Sequence, residues 1–463
     1  MFENITKITD FLWGTPLTLF VVTVGLYLTY CCNLIQLTKI KTIYRNTLKK
    51  IFKKNEIEEG ERKTISTVLA GTIGTGNIAG IASAIAVGGP GAIFWMWVIS
   101  FISMATKMSE VALAVKYREK NKDGSYIGGP MYYIKHITGN FGKLLALIYS
   151  IALLIYVITD SCFAQMNTLA TTINETFNIP LIIIGIVVMF ISIIIINQGF
   201  DKTSNVLRKV VPTMTVIYLI STIIVIAMHI NNIPNAICLI IKCAFYPAPV
   251  MGGFAGATIM MAISKGAARG IFANEAGLGT SSTIYSKDPK AIPLKQGLWG
   301  IMEVALVSFG TCTLTALLIM STGVINTGNT GSILVLNAFE TIYGKLGKII
   351  LCVIITLFAY STYIGFFTEF KTSMTYLFGE EKFKYLKWIY YIPIIFAVLL
   401  PIDAIWALAD ISVGFIIIPN LISLIYFRKD IKEISNGINE IQNSEKWVDI
   451  RTWKWYNFLG FNL

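Results

Sequence analysis

Charged residues are scarce in this chain of 463 residues, because Asp, Glu, Lys and Arg together make up only 14% of the sequence. Soluble globular domains carry about 25% charged residues and roughly 45–50% apolar residues. Hydrophobic residues reach 55% in this chain, and its mean hydropathy is +0.66. The composition excludes a soluble enzyme and a disordered chain, and it indicates an integral membrane protein whose surroundings are the lipid bilayer.

Histidine is almost absent, since only His136 and His229 occur and they lie far apart in sequence. A His-based metal or acid–base centre is therefore not expected. The seven cysteines form no CxxC pair and most lie in or beside apolar runs, which argues against a disulfide framework or a zinc site. Without an evident nucleophile–base pair we expect a protein that is not an enzyme and has no organic cofactor.

About eleven apolar segments are long enough to cross a bilayer as helices, since a span needs about 20 residues. The fold class predicted from them is an all-α integral membrane protein. The predicted spans are 11–32, 64–86, 91–117, 141–173, 180–197, 205–228, 250–283, 295–321, 344–378, 385–400 and 402–427.

Lys and Arg fall on alternate connections between these spans, which explains the net charge of +12 better than nucleic-acid binding does. The connection 33–63 alone holds nine of them. The opposite set of connections holds only Lys7, Lys242, Lys345 and Lys348. The bias predicts a multi-pass protein of the cell membrane with its N-terminus outside and its C-terminus in the cytoplasm.

The second span contains polar residues and glycines at one depth. Gly71, Gly74, Gly76 and Gly80 alternate there with Thr72, Thr75 and Asn77. Such a run disfavours a continuous helix, and irregular backbone within a membrane persists only where it lines a cavity or is covered by protein. The alternative is close helix packing through Gly76-x-x-x-Gly80, but packing does not explain the polar residues.

The seventh span repeats this pattern, with Gly266, Gly270, Gly277 and Gly279 around Arg269, Asn274 and Glu275. Five spans separate the equivalent positions, which is typical of a five-plus-five inverted repeat with one additional N-terminal helix. The N-termini of the half-helices would then face a carboxylate and their C-terminal carbonyls a cation. Gly266-x-x-x-Gly270 has the same alternative of close packing.

The repeat predicts the organisation of the chain. An N-terminal helix and a basic cytoplasmic loop come first, followed by the two repeats and a cytoplasmic tail, with bounds 1–63, 64–249, 250–427 and 428–463.

Other polar residues lie inside apolar spans. Ser361 and Thr362 are adjacent hydroxyls in the ninth span and are predicted to bind a hard cation such as sodium, although each could instead bond to its own helix. Gln165 suits a zwitterion, and a helix–helix hydrogen bond explains it equally well. Lys107 and Glu110, at i and i+3, are predicted to form a structural pair.

Several motifs resemble the alanine or glycine:cation symporter family across nearly the whole chain. They are GTIGTGNIAG at 71–80, GGPGAIFWMW from residue 88, GGPMYYI at 128–134, FANEAGLG at 272–279 and AYST at 359–362. Two residues depart from the family pattern: Ser103 stands where the fingerprint closes on glycine, and Asp160 is unusual.

The resemblance implies a fold of the leucine-transporter type, with eleven helices of which the second to eleventh form the repeat. It also implies sodium-coupled uptake of alanine or glycine. Carried over by motif, the sodium ligands would be carbonyls of Ala70, Ile73 and Phe358 with the hydroxyls of Ser361 and Thr362. The substrate carboxylate would bind at Thr75, Gly76 and Asn77, and the rest of the pocket would be Gln165, Phe272, Asn274 and Phe366.

Two alternatives stay open at this point. A symporter of the same fold driven by protons would use Glu110, Asp160 or Glu275 as its titrating group. A channel would need a continuous polar stripe or a repeated pore motif, and neither is evident. The sequence does not indicate an oligomeric state.

Overall fold

A computed structural model describes residues 8–9, 11–51, 57–121, 124–197, 200–247 and 256–439. These residues are almost wholly α-helical, and Glu119–Lys120 and Tyr126–Ile127 pair as a short antiparallel hairpin. Most of the predicted cytoplasmic tail, from residue 440 onward, lies outside the described residues.

The longer helices are numbered α1 to α14 in chain order. They are α1 Thr15–Cys31, α2 Glu59–Thr72, α3 Ala79–Gly88, α4 Gly91–Lys116, α5 Asn140–Phe177, α6 Leu181–Asn197, α7 Phe200–Met228, α8 Ile233–Phe245, α9 Ile259–Asn274, α10 Pro293–Thr322, α11 Gly331–Tyr343, α12 Lys345–Phe378, α13 Ile402–Tyr426 and α14 Arg428–Asn436. Shorter helices are Ile35–Thr38, Ile40–Asn46, Leu48–Ile51, Pro130–Ile134, Ser282–Tyr285, Glu380–Leu386 and Pro393–Ala397.

By length and composition, five helices in the described part of the chain can cross a membrane: α4, α5, α10, α12 and most of α13. The number rises to seven if each of two bent pairs is one span. One pair is α2 with Thr75–Gly88, bent by 54°, and the other is Pro212–Met228 with Ile230–Phe245, bent by 76°. Helices α1 and α6 are apolar but shorter. The chain is therefore a multi-pass helical membrane protein, and the total of eleven spans stays a prediction.

Two predicted segments differ in the structure. The span 385–400 is not one helix, because Lys387–Tyr390 forms a 3₁₀ turn and a separate short helix begins at Pro393, which has no backbone N–H for a continuous ladder. Helix α8 was not predicted; it follows a sharp bend after α7 and carries one apolar face, with Ile240 and Cys243 buried.

Helix α4 lies at the centre of the packing and contacts α9, α10, α1 and α8. Glycines allow the helices to approach closely. A Cβ added at Gly266 of α9 would lie 2.4 Å from the carbonyl oxygen of Ala92 in α4, and one at Gly297 of α10 would lie 3.0 Å from Met108 Cγ. Helices α9 and α10 thereby both pack closely against α4.

Candidate functional site

The first break follows α2. The helix ends at Thr72, Ile73 leaves helical geometry, and Gly74 is extended. A single 3₁₀ turn, Thr75–Asn77, leads into α3. The second predicted span is therefore interrupted where its polar residues and glycines are concentrated.

The second break lies later in the seventh predicted span than Gly266 and Gly270 indicate. Helix α9 stays regular to Asn274, and the chain then turns through Glu275, Gly277 and Gly279, which have φ of 55°, 90° and 76°. Gly277 and Gly279 adopt such angles without strain because glycine has no Cβ, so this turn is where the seventh predicted span needs its glycines. Gly266 and Gly270 are instead packing residues within α9, as the alternative interpretation of that pair held.

The two breaks face one small cavity. Its wall is made by both breaks and by two polar side chains of α5. The lining residues are Gly71, Thr72, Gly74, Gly76, Asn77, Asp160, Gln165, Phe272, Ala273 and Glu275. Of the predicted substrate residues, Gly76, Asn77, Gln165 and Phe272 line this cavity, and Thr75 bonds to Gln165 directly.

The Gln165 amide crosses the cavity wall from α5 to the first break. Its Oε1 accepts hydrogen bonds from Thr75 N at 3.0 Å and Thr75 Oγ1 at 2.8 Å, and its Nε2 donates to Asp160 Oδ1 at 2.9 Å. Both side chains belong to a π-helical stretch, Ile158–Gln165, inside α5. Such π stretches are frequent at functional sites, and no periodicity in the sequence indicated this one.

Two predicted substrate residues are not brought to the cavity wall. The Asn274 amide donates to Ser100 Oγ and Ser308 Oγ and its Oδ1 accepts from Ala276 N, so it holds the second break in place. Phe366 is buried and packs against Tyr156, with 5.8 Å between the two ring centroids. In this structure Asn274 supports the backbone of the second break and Phe366 contributes to packing.

The predicted cation ligands lie where α12 crosses the end of α2. The helices approach so closely that a Cβ added at Gly365 would lie 3.2 Å from Gly71 Cα. Thr362 Oγ1 is 3.3 Å from the Ala70 carbonyl, and Ser361 Oγ is 2.9 Å from the Phe358 carbonyl.

Both hydroxyls are buried, and their lone pairs can face a cation while their protons bond to carbonyls. The carbonyl of Ile73 follows directly after α2. A set of hydroxyl and carbonyl oxygens of this kind suits a hard cation such as sodium.

A buried ion network joins the two breaks, and the sequence pairing of Lys107 with Glu110 was incomplete. Lys107 Nζ lies 3.1 Å from Glu303 Oε1 but 4.0 Å from Glu110 Oε1, and it donates to the Asn274 carbonyl at 3.0 Å. Thr72 Oγ1, at the first break, donates to the same Glu303 oxygen at 2.7 Å. Helical spacing reveals only partners on one helix, so Glu303 of α10 was missed.

Glu110 has a separate task at the second break. Its Oε2 accepts from Gly277 N at 3.1 Å and from Asn420 Nδ2 at 3.0 Å, and Asn420 also donates to the Gly277 carbonyl at 2.8 Å. These bonds pair the backbone N–H and C=O groups that the break leaves without helical partners. Unpaired backbone groups inside a membrane are costly.

Arg269, the buried cation of α9, is also paired. Two of its nitrogens lie 2.9 Å from the two carboxylate oxygens of Asp410 in α13, and its guanidinium lies 4.4 Å from the Trp406 ring centroid. It is therefore engaged with α13 and does not line the cavity.

The substitution Gly76→Ala tests whether the first break requires glycine. A Cβ there would lie 2.8 Å from Phe272 Cε1 across the cavity, so Gly76→Ala forces the ring or the turn to move. We expect transport to fall at least about tenfold, since overpacking costs about 1–3 kcal/mol. Initial uptake rate per amount of purified protein in proteoliposomes measures this.

Gly310→Ala is the matched control, because a Cβ at this glycine of α10 meets no atom within 4 Å. It should leave uptake unchanged. Equal rates for both variants would contradict a functional role of the first break.

Two breaks in membrane helices that face one small polar cavity define a class of protein: membrane transport proteins that bind their cargo at interrupted helices. The model of the sodium:alanine symporter family matches residues 1–448, so the chain belongs to that family.

Similar proteins cover nearly the whole chain. It is 36% identical to an uncharacterized transporter of Haemophilus influenzae, over 93% of this chain and 94% of that protein. It is 30% identical to the sodium/alanine symporter AgcS of Methanococcus maripaludis, over 95% and 98%. It is 30% identical to the probable sodium/glutamine symporter GlnT of Bacillus subtilis, over 91% and 87%. The family is one of transporters.

Proposed function

We propose that the chain couples sodium entry to uptake of a small neutral amino acid, alanine or glycine. The observation that carries the proposal is the position of Gly74. A Cβ there would lie 2.4 Å from Thr362 Oγ1, a proposed sodium ligand, and 3.2 Å from Gln165 Oε1, in the proposed substrate pocket. The two ligand sites therefore adjoin across one glycine of the break.

This adjacency gives a physical route to coupling. Sodium between α2 and α12 would order the non-helical backbone at Ile73 and Gly74, which leads into the turn Thr75–Asn77 proposed to bind the substrate carboxylate. Each ligand then raises the affinity for the other by the same factor. Each sodium ion that enters contributes about 2.3 kcal/mol per 100 mV of membrane potential.

The proposed architecture has eleven spans, with 64–249 and 250–427 as inverted repeats after an N-terminal unit, 1–63. The breaks after α2 and α9 support it by their positions. The predicted join of the repeats at 249–250 lies outside the described residues. The basic connections support an outside N-terminus and a cytoplasmic tail, 428–463.

Proton coupling is the second candidate, favoured by one observation: two carboxylates, Asp160 and Glu275, line the cavity. A relative from Bacillus sp. (strain PS3), 31% identical, is named a sodium/proton-dependent alanine carrier. Uptake of labelled alanine at fixed pH, with sodium replaced by choline, separates the candidates. Loss of uptake in choline supports sodium, and undiminished uptake contradicts it.

The cavity wall predicts the size of the substrate. Most of it is Gly, Ala, Thr and Asn, and Phe272 closes one side, so each added methylene should cost about 1–3 kcal/mol. We expect alanine and glycine to inhibit labelled alanine uptake strongly, serine less, and leucine hardly. Glutamine is also measured as an inhibitor, because a relative is named a probable sodium/glutamine symporter.

Phe272→Ala should admit valine or leucine by enlarging the cavity. The matched variant is Phe366→Ala, which removes a buried ring that does not line the cavity, and its inhibition profile should stay that of the unmodified protein. Strong inhibition of the unmodified protein by leucine would contradict this pocket.

A further inference from the structure

Asp160 is a buried carboxylate on the cavity wall, and no described Lys or Arg side chain forms an ion pair with it. The residue is 3% exposed, and within the described part of the chain it accepts hydrogen bonds from neutral groups, the Gln165 amide at 2.9 Å and the Tyr156 hydroxyl at 3.4 Å. The buried cations Arg269 and Lys107 are paired with other carboxylates. A buried charge in a membrane protein is costly unless it is paired, so Asp160 is a residue whose partner is expected to arrive with a ligand.

The second observation is what the Gln165 amide does in this cavity. Its oxygen accepts from the two donors of Thr75, and its NH₂ group donates to Asp160. The amide thus presents an acceptor to Thr75 and a donor to Asp160. An amino-acid zwitterion also carries an acceptor and a donor close together, since its carboxylate accepts hydrogen bonds and its ammonium group donates them.

We propose that Asp160 binds the ammonium group of the transported amino acid, in exchange for the Gln165 amide that it bonds in this structure. The proposal rests on the proposed function and deepens it, because it gives the substrate class a requirement: a charged α-amino group next to the carboxylate. Glu275 is the other carboxylate on the wall, but it accepts a hydrogen bond from the Thr280 hydroxyl and forms part of the second break. Asp160 is joined to the first break, where the substrate carboxylate is proposed to bind.

Lactate tests whether the ammonium group is recognised, because it has the size of alanine and a hydroxyl in place of the ammonium group. Proteoliposomes with an inward sodium gradient and labelled alanine give half-inhibiting concentrations of unlabelled alanine and lactate. We expect alanine to be at least about a hundredfold better in the unmodified protein, because a hydrogen bond between charged groups is replaced by a neutral one.

Asp160→Asn removes the charge and keeps the shape. We expect the half-inhibiting alanine concentration to rise about ten- to a hundredfold, the ratio of lactate to alanine to shrink by a similar factor, and the half-saturating sodium concentration to stay within about twofold. Equilibrium binding of labelled alanine to the detergent-purified variant gives the same comparison if transport is lost. Glu369→Gln is the control, since it removes another buried carboxylate that does not line the cavity.

Two results would overturn the proposal: lactate inhibiting the unmodified protein as well as alanine does, or an unchanged lactate-to-alanine ratio in Asp160→Asn. If the half-saturating sodium concentration also rises in the second case, Asp160 is a cation ligand. If the variant fails to fold, the comparison on the unmodified protein can still overturn the proposal, because equal inhibition by lactate would show that the ammonium group is not recognised. If the unmodified protein shows no sodium-driven alanine uptake, the proposed function itself is wrong. That outcome differs from failure of the Asp160 proposal, in which uptake is present.

Discussion

Lys107→Met is expected to lower the free energy of unfolding by about 3–5 kcal/mol, because it leaves the Glu303 carboxylate buried without its cation. The cost also includes the Asn274 carbonyl, which loses the donor that Lys107 supplies at 3.0 Å. Both breaks are joined through this lysine and its carboxylate partner. We therefore expect a large fall in the thermal unfolding midpoint of the detergent-purified protein, with loss of uptake.

Lys348→Met is the matched control, since its partner Glu340 is 2.9 Å away but the two side chains are 23% and 41% exposed. Exposed ion pairs contribute about 0–1 kcal/mol, so this midpoint should hardly move. A second variant, Lys107→Met with Glu303→Gln, removes both charges and should recover part of the loss. If Lys107→Met unfolds at the same temperature as Lys348→Met, the buried network does not stabilise the breaks.

Replacing Ser361 and Thr362 together by alanine is expected to raise the half-saturating sodium concentration tenfold or more. Losing a buried oxygen ligand typically costs about 1–3 kcal/mol, and two are removed. Alanine affinity measured at saturating sodium should change far less, because both hydroxyls lie on the α12 side of Gly74. The measurement is uptake of labelled alanine as a function of sodium concentration.

Thr372→Ala supplies the comparison for that double variant. Thr372 lies further along α12 and donates to the Thr368 carbonyl of its own helix at 2.8 Å, so its loss should leave the sodium dependence unaltered. Equal sodium dependence of the unmodified protein and the Ser361/Thr362 double variant would show that these hydroxyls only bond to neighbouring backbone.

Local chemistry made the first break predictable. Gly74 and Gly76 beside Thr75 and Asn77 disfavour a helix wherever they occur, and their position inside an apolar span requires a covered or cavity-lining backbone. The second break was placed less well. Gly266 and Gly277 look alike in sequence, and only the packing of α9 on α4 shows that the first of them permits contact while the second permits a turn.

Hydropathy and glycine content act over short distances along the chain, so they suffice to predict a multi-pass helical membrane protein with a polar interruption in an early span. Which polar groups meet depends on how the helices pack. Glu303 approaches Lys107 from another helix, and Asp160, in a π-helical stretch of α5, is joined to the first break through Gln165. Contacts between helices depend on how side chains of distant segments fill one volume, and no spacing within a single segment contains that information.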